Sequence, residues 1–177
     1  MKKTIIALQF ILLFSTSACA SQVSQEKLNI ALKKQKKFLS HVKKKDKLII
    51  VDYGRSIVRE RLWVYDLKLK KIIFKSRVGH AGKSGILFAT DFSNVPKSKK
   101  SSIGSFVTLQ KYHGSFGKSL RIKGLERGVN HNAHKRAIVI HPMNGHPWSY
   151  GCFTLPKNKV SKFVDMVKGG VFMYVTN

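Results

Sequence analysis

From Lys47 onward the sequence advances in short apolar runs separated by glycines. The runs Leu48 to Tyr53, Arg61 to Asp66, Ile72 to Val78, Ile103 to Leu109, Ser119 to Ile122 and Ala137 to His141 are rich in Val, Ile, Phe and Tyr. Branched and aromatic side chains of this kind suit the pleated, half-buried surface of a strand. Gly54, Gly79, Gly82, Gly85, Gly114, Gly117, Gly124 and Gly128 punctuate the intervals as turns. Many short strands with glycine-rich connections predict a mostly-β domain, a sandwich or a partly open barrel. Toward the end, Val160, Phe163, Val164 and Val167 recur at helical spacing, with Pro156 at the entry and Gly169 and Gly170 at the exit. Val171 to Val175 then reads as a closing strand. No repeat, heptad array or low-complexity linker interrupts residues 47–177, which predicts a single domain there.

Ahead of it, residues 21–46 form a basic segment with a different period. Within 24–45, Leu28, Ala31, Leu32, Phe38, Leu39 and Val42 return at spacings of three, four and seven, with lysines between them. That pattern predicts an amphipathic helix. Two roles suit it: packing against the domain, or attachment to an anionic lipid or polymer.

Residues 1–20 read as a secretory signal peptide. Lys2 and Lys3 form the charged start, Ile5 to Phe14 an apolar run, and Ala18-Cys19-Ala20 a small-residue cleavage pattern before Ser21. The apolar run is short for a retained membrane anchor. Lipid attachment at Cys19 is the lesser alternative, because Thr16 stands where such signals usually carry Leu. The reading predicts an exported protein of the periplasm or cell envelope, without a transmembrane span after cleavage.

Charge narrows the partners. The chain carries 34 Lys+Arg against 8 Asp+Glu, a formal net charge of +26. Export would remove Lys2 and Lys3 and no acid, leaving +24. Such a balance usually raises nucleic-acid binding. Export argues against it, and so does composition: 27 of the 34 basic residues are lysines spread along the chain, not arginines interleaved with aromatics. Anionic envelope polymers are the better acidic partners, although a lysine bias with no binding role fits equally.

One cluster carries chemistry. Residues 137–156 read AIVIHPMNGHPWSYGCFTLP. After signal cleavage Cys152 would be the sole cysteine, so it has no partner for a disulfide within the chain. A lone thiol in an oxidising compartment invites oxidation, and nucleophilic catalysis is a reason to keep one. A free thiol is only slightly ionised near neutrality, and His141, at the end of the preceding strand, can take its proton as general base. Gly151 removes bulk beside the sulfur, and the backbone N–H groups of Gly151 and Cys152 form a candidate oxyanion hole. Ser149 is assigned to loop anchoring or substrate binding. The competing reading of Cys152 is a small buried hydrophobe.

These residues sit in a wider resemblance. The stretches VGHAGKSG at 78–85, FSNVPKSKKSSIGSF at 92–106, FGKSLRIKGLERGVN at 116–130, RAIVIH followed by SYGC, and KGG at 168–170 are similar in order to the murein L,D-transpeptidase catalytic-domain family. The resemblance implies Cys152 as nucleophile, His141 as general base, and Ser149 and Gly151 as the small residues before the cysteine. It places His80 near the cleft. It further implies exported enzymes acting on peptidoglycan stem peptides. The cysteine displaces a terminal D-alanine as a thioester forms, and an amine from a second stem resolves it. No cofactor and no metal are implied. Resolution by water would make the protein an L,D-carboxypeptidase. The chain departs from the family pattern in a shorter interval between His141 and Cys152, which implies a trimmed lid, and in Pro142 and Phe153.

Other residues carry secondary expectations. His146 is the reserve base, Trp148 a substrate-binding wall residue, and Arg136 a partner for substrate carboxylates. His113, His131 and His134, with His141 and His146, raise a zinc reading that lacks nearby carboxylates, so exposed or rim histidines are the alternative. The rival from another class is a non-catalytic basic module that binds the envelope, with Cys152 inert.

Overall fold

The computed structural model describes residues 23–177. The signal-peptide expectation for residues 1–20, with lipid attachment at Cys19, therefore lies outside the described residues. Helix α1 spans Gln25–Lys37 and helix α2 Lys157–Val167. Eight strands follow the chain as β1 (Lys44–Asp52), β2 (Leu62–Asp66), β3 (Lys71–Ser76), β4 (Gly104–Gly114), β5 (Gly117–Gly124), β6 (Val139–Pro142), β7 (Phe153–Leu155) and β8 (Val171–Thr176). They form one curled sheet in the order β3-β2-β1-β8-β4-β5-β6-β7. The mostly-β expectation holds, with a single sheet instead of two stacked ones. Most neighbours are antiparallel, while β1 with β8 and β6 with β7 run parallel.

Alternation along the strands divides the interior into two layers. Ile49 and Val51 of β1, Leu62 and Val64 of β2, and Val171, Met173 and Val175 of β8 enter the main core with α2 residues Val160, Phe163, Val164 and Val167. The intervening residues Leu48, Ile50, Trp63 and Phe172 turn to the other face, where Leu28, Ala31 and Val42 cover them. Two buried faces explain why β1 reads as a continuous apolar run.

Helix α1 thus packs against the sheet. Ser24 caps it through its hydroxyl, and Lys27 Nζ reaches Asp52 at 2.6 Å. Burying Leu28 contributes about 1.5–3 kcal/mol. The helix is shorter than the 24–45 reading: it stops at Lys37, a 3-10 turn covers Leu39–His41, and β1 has begun by Lys44. The sheet recruits Lys43 and Lys44 through their N–H groups to the Gly170 carbonyl, each 3.0 Å, so the lysine run is part of a strand edge. Among the described residues no helix is long and apolar enough to cross a membrane.

Candidate active site

The parallel pair β6 and β7 sets the site. Ile140 lies opposite Phe153, and His141 opposite Thr154. Ile140 and Phe153 both enter the main core. Strand alternation therefore turns His141 and Thr154 to the opposite side, and Cys152 is the residue just before β7. The register brings the histidine-ended strand alongside the segment that follows the cysteine, although the two residues are eleven positions apart in sequence.

His141 is 7% exposed. Its Nδ1 lies 2.8 Å from the Pro142 carbonyl. A carbonyl only accepts, so Nδ1 carries the proton and Nε2 presents a lone pair. The ring of Phe116, from the β4–β5 turn, stacks on the imidazole at 4.5 Å between centroids and 20° between planes. Burial lowers the histidine's pKa, and the Pro142 hydrogen bond opposes it.

Cys152 is a free, half-buried thiol. Burial pushes its pKa up, while the Val139 backbone N–H and the Arg136 charge pull it down. Its S–H donates to the Ala137 carbonyl at 3.6 Å. Burial thus disfavours the charged form of both the thiol and the imidazole.

The loop before the cysteine is self-braced. Ser149 Oγ donates to the Cys152 carbonyl at 2.7 Å and accepts the Gly151 N–H at 3.1 Å. Ser149 thus anchors the loop. The second bond corrects one expectation, because the Gly151 N–H is turned inward and only the Cys152 N–H is left as the oxyanion donor named from sequence. Gly151 has φ +133°, and a Cβ there would stand 3.2 Å from the Lys100 carbonyl.

A second segment threads beneath. The Gly79 N–H donates to the Thr154 carbonyl at 2.7 Å, and the Ser149 N–H to the His80 carbonyl at 2.9 Å. A Cβ on Gly79 would lie 1.7 Å from the Pro147 carbonyl oxygen and 2.0 Å from Thr154 Oγ1, so only glycine lets these strands close. His80 belongs to this foundation and does not face the cleft as expected. It is 0% exposed, with Nδ1 2.7 Å from Arg61 Nη2 and Nε2 donating to the Gly85 carbonyl at 2.8 Å. Arg61, also buried, donates to the Val78 and Arg55 carbonyls. Burial lowers its pKa to about 10.

Beside His141 opens a cavity of about 240 Å³, lined by Phe116, Asn144, His146, Trp148, Tyr150 and Thr154 among others. Cys152 itself is not among the lining residues. Trp148 lines this cavity, with its indole N–H on the Ile86 carbonyl at 3.1 Å. His146 lines the same space, 6.1 Å from the Trp148 ring, and is exposed. A larger, shallower groove of about 390 Å³ lies between β3 and α2, with no histidine or cysteine in its lining.

Arg136 departs from its assignment. Its guanidinium donates to the Ser93 carbonyl, Ser102 Oγ at 2.7 Å, Ser98 Oγ at 3.1 Å and the Lys100 carbonyl at 2.5 Å, so loop acceptors occupy the fork meant for substrate. His131 Nδ1 accepts from Asn94 and the Gly128 N–H. Among the described residues no three His, Cys, Asp or Glu side chains cluster to hold a metal. The sequence reading missed Phe116, Thr154 and Arg61. An aromatic at a Gly-flanked turn, GSFG at 114–117, was the available signal for the first.

The curled eight-stranded sheet with its two helices defines the class of the protein as a mostly-β domain. The profile of the L,D-transpeptidase catalytic domain matches residues 19–176, and the chain belongs to that family. Among solved structures, the helical cell shape determining protein Pgp2 (K307A mutant) from Campylobacter jejuni is 15% identical, with a TM-score of 0.53 over 76% of this chain and 48% of that one. An L,D-transpeptidase from Mycobacterium smegmatis is 14% identical, with a TM-score of 0.47 over 75% of this chain and 59% of that one. One from Stackebrandtia nassauensis is 17% identical, with a TM-score of 0.48 over 76% and 57%. The chain thus spans about three-fifths of the first solved structures it matches. A search of curated proteins finds no match.

Proposed function

We propose that the protein is an exported L,D-transpeptidase that remodels peptidoglycan stem peptides through a thioester on Cys152. The observation that supports this is the β6–β7 register, in which His141, with Nδ1 bound to the Pro142 carbonyl and Nε2 left to accept, lies opposite Thr154, two residues past the free thiol of Cys152. A tetrapeptide stem in the Phe116–Trp148 cavity would present the carbonyl of its third residue to the sulfur. Cys152 gives its proton to His141 Nε2 as the C–S bond forms. The Cys152 N–H steadies the developing oxyanion, an interaction worth about 2.7–4 kcal/mol in comparable sites. The protonated His141 then hands its proton to the leaving D-alanine amine. An incoming amine attacks the thioester, gives its proton back to His141, and thiol and cross-link result.

Burial disfavours charge on both groups, which supports a base that acts only when substrate arrives and suits a thiol exposed to oxidants. Water in place of the amine would give L,D-carboxypeptidase activity on the same scaffold. Export to the periplasm or envelope follows from the substrate and the leader-like first twenty residues. The excess of lysine suits anionic polymers in that compartment.

The test is mass spectrometry of the protein incubated with tetrapeptide-stem muropeptides. An acyl adduct on Cys152, loss of D-alanine and new cross-links are expected, and all three vanish in Cys152→Ala. Cross-linking that survives in Cys152→Ala, or a folded wild type that binds the wall with no turnover, overturns the reading and favours an inert binding module.

A further inference from the structure

The Arg136–Ala137 corner touches the cysteine without lining the substrate cavity. Ala137 adopts φ +54°, a left-handed conformation that costs a non-glycine residue about 1–3 kcal/mol. That turn aims its carbonyl at Cys152 Sγ. One residue earlier, the guanidinium of Arg136 reaches four acceptors on the 93–102 loop. The same guanidinium lies 3.5 Å from where a Gly151 Cβ would stand, hard against the residue before the nucleophile.

We propose that Arg136 is a positioning residue for the Cys152 thiolate: the braced guanidinium fixes the Gly151–Cys152 backbone and supplies the positive charge that offsets the sulfur when it ionises. This rests on Cys152 acting as nucleophile. The Ala137 carbonyl favours the S–H form and opposes ionisation, so a fixed cation nearby is what tips the sulfur once the proton leaves. Tyr53, which also interacts with the sulfur, is fully buried with its ring stacked on Phe153 at 5.9 Å, and it carries no positive charge. The two nearby loop lysines are engaged elsewhere, Lys99 over the Tyr150 ring at 4.8 Å and Lys100 with Asp91. The fork also explains why the guanidinium is not spent on substrate.

The experiment is the pH dependence of Cys152 alkylation by iodoacetamide in wild type, R136Q and R136K, each also followed by thermal melting. In R136Q the alkylation midpoint is expected to rise by about one pH unit, an approximately tenfold loss of thiolate near neutrality. R136K loses the fork and keeps the charge, so its midpoint should stay within about 0.3 unit of wild type. A merely structural brace would move both variants alike, and that result, or an unmoved R136Q, overturns the proposal. Should R136Q lack a cooperative melt, R136K decides alone, because a rise of about one unit there removes charge as the cause. Activity of Cys152→Ala is read separately: its survival sinks the nucleophile, whereas a normal wild-type enzyme with an unmoved R136Q midpoint sinks only the role of Arg136.

Discussion

Phe116 lies flat on His141, ring centroid to ring centroid 4.5 Å, although it comes from a turn between β4 and β5 and is itself 49% exposed. The aromatic shields the imidazole from water on one side and walls the cavity on the other. Phe116→Ala should expose the base and raise its pKa toward the ordinary value. The acid limb of the pH–rate profile would then move to higher pH, with a stability loss of only about 0.5–1.5 kcal/mol. A profile recorded from pH 5 to 8 checks the direction.

The Gly79 contact makes a harsher prediction. Gly79→Ala would drive a methyl into the Pro147 carbonyl and Thr154 Oγ1. Backbone cannot yield as a flexible side chain does, so a destabilisation of about 3 kcal/mol or more is expected. Urea unfolding measures it, and a variant as stable as wild type would contradict the packing of residues 78–81 under the site.

Ser149→Ala removes the donor to the Cys152 carbonyl and the acceptor for the Gly151 N–H. About 1–3 kcal/mol of loop restraint disappears. The released Gly151–Cys152 backbone should lower kcat by about 10- to 100-fold with KM little changed, because an interaction that orients the oxyanion donor counts in the transition state. Steady-state kinetics on a soluble stem analogue distinguishes this from lost substrate binding, which would raise KM.

His80 predicts a pH dependence of stability. Burial first, and the Arg61 charge with it, lower its pKa against the Gly85 hydrogen bond. The folded protein therefore binds fewer protons than the unfolded chain between the folded value and about 6.5. Stability is full above that window and falls as pH drops through it. Burial depresses His141 in the same sense. Unfolding free energies at several pH values should decline on acidification, and less steeply in a folded His80→Gln variant.

Much of the architecture was legible beforehand. Strand runs such as Leu48–Tyr53 and Arg61–Asp66 fall on β1 and β2 because alternating or fully buried apolar residues leave a strong periodic trace. The helix bounded by Pro156 and Gly169 is equally local, since capping residues announce both ends. The end of α1 was not, because the Lys43–Lys45 run says nothing about the Gly170 carbonyl that draws it into a strand. Nor did the sequence tell that the arginine before a strand would be held by four loop acceptors, or that the histidine of VGHAG would be sealed under the site.

By itself, then, the chain of residues settled the mostly-β character and the C-terminal helix, which follow from local periodicity, and it pointed to Cys152 and the histidine-ended strand as candidates through side-chain chemistry. Which tautomer the histidine holds, which N–H groups face the sulfur, and whether an arginine serves substrate or scaffold were decided only in three dimensions. The acceptors of Arg136 lie 34 to 43 positions away, and the short-range bonds of His141 to Pro142 and of Gly151 to Ser149 depend on a loop shape that leaves no periodic mark in the sequence.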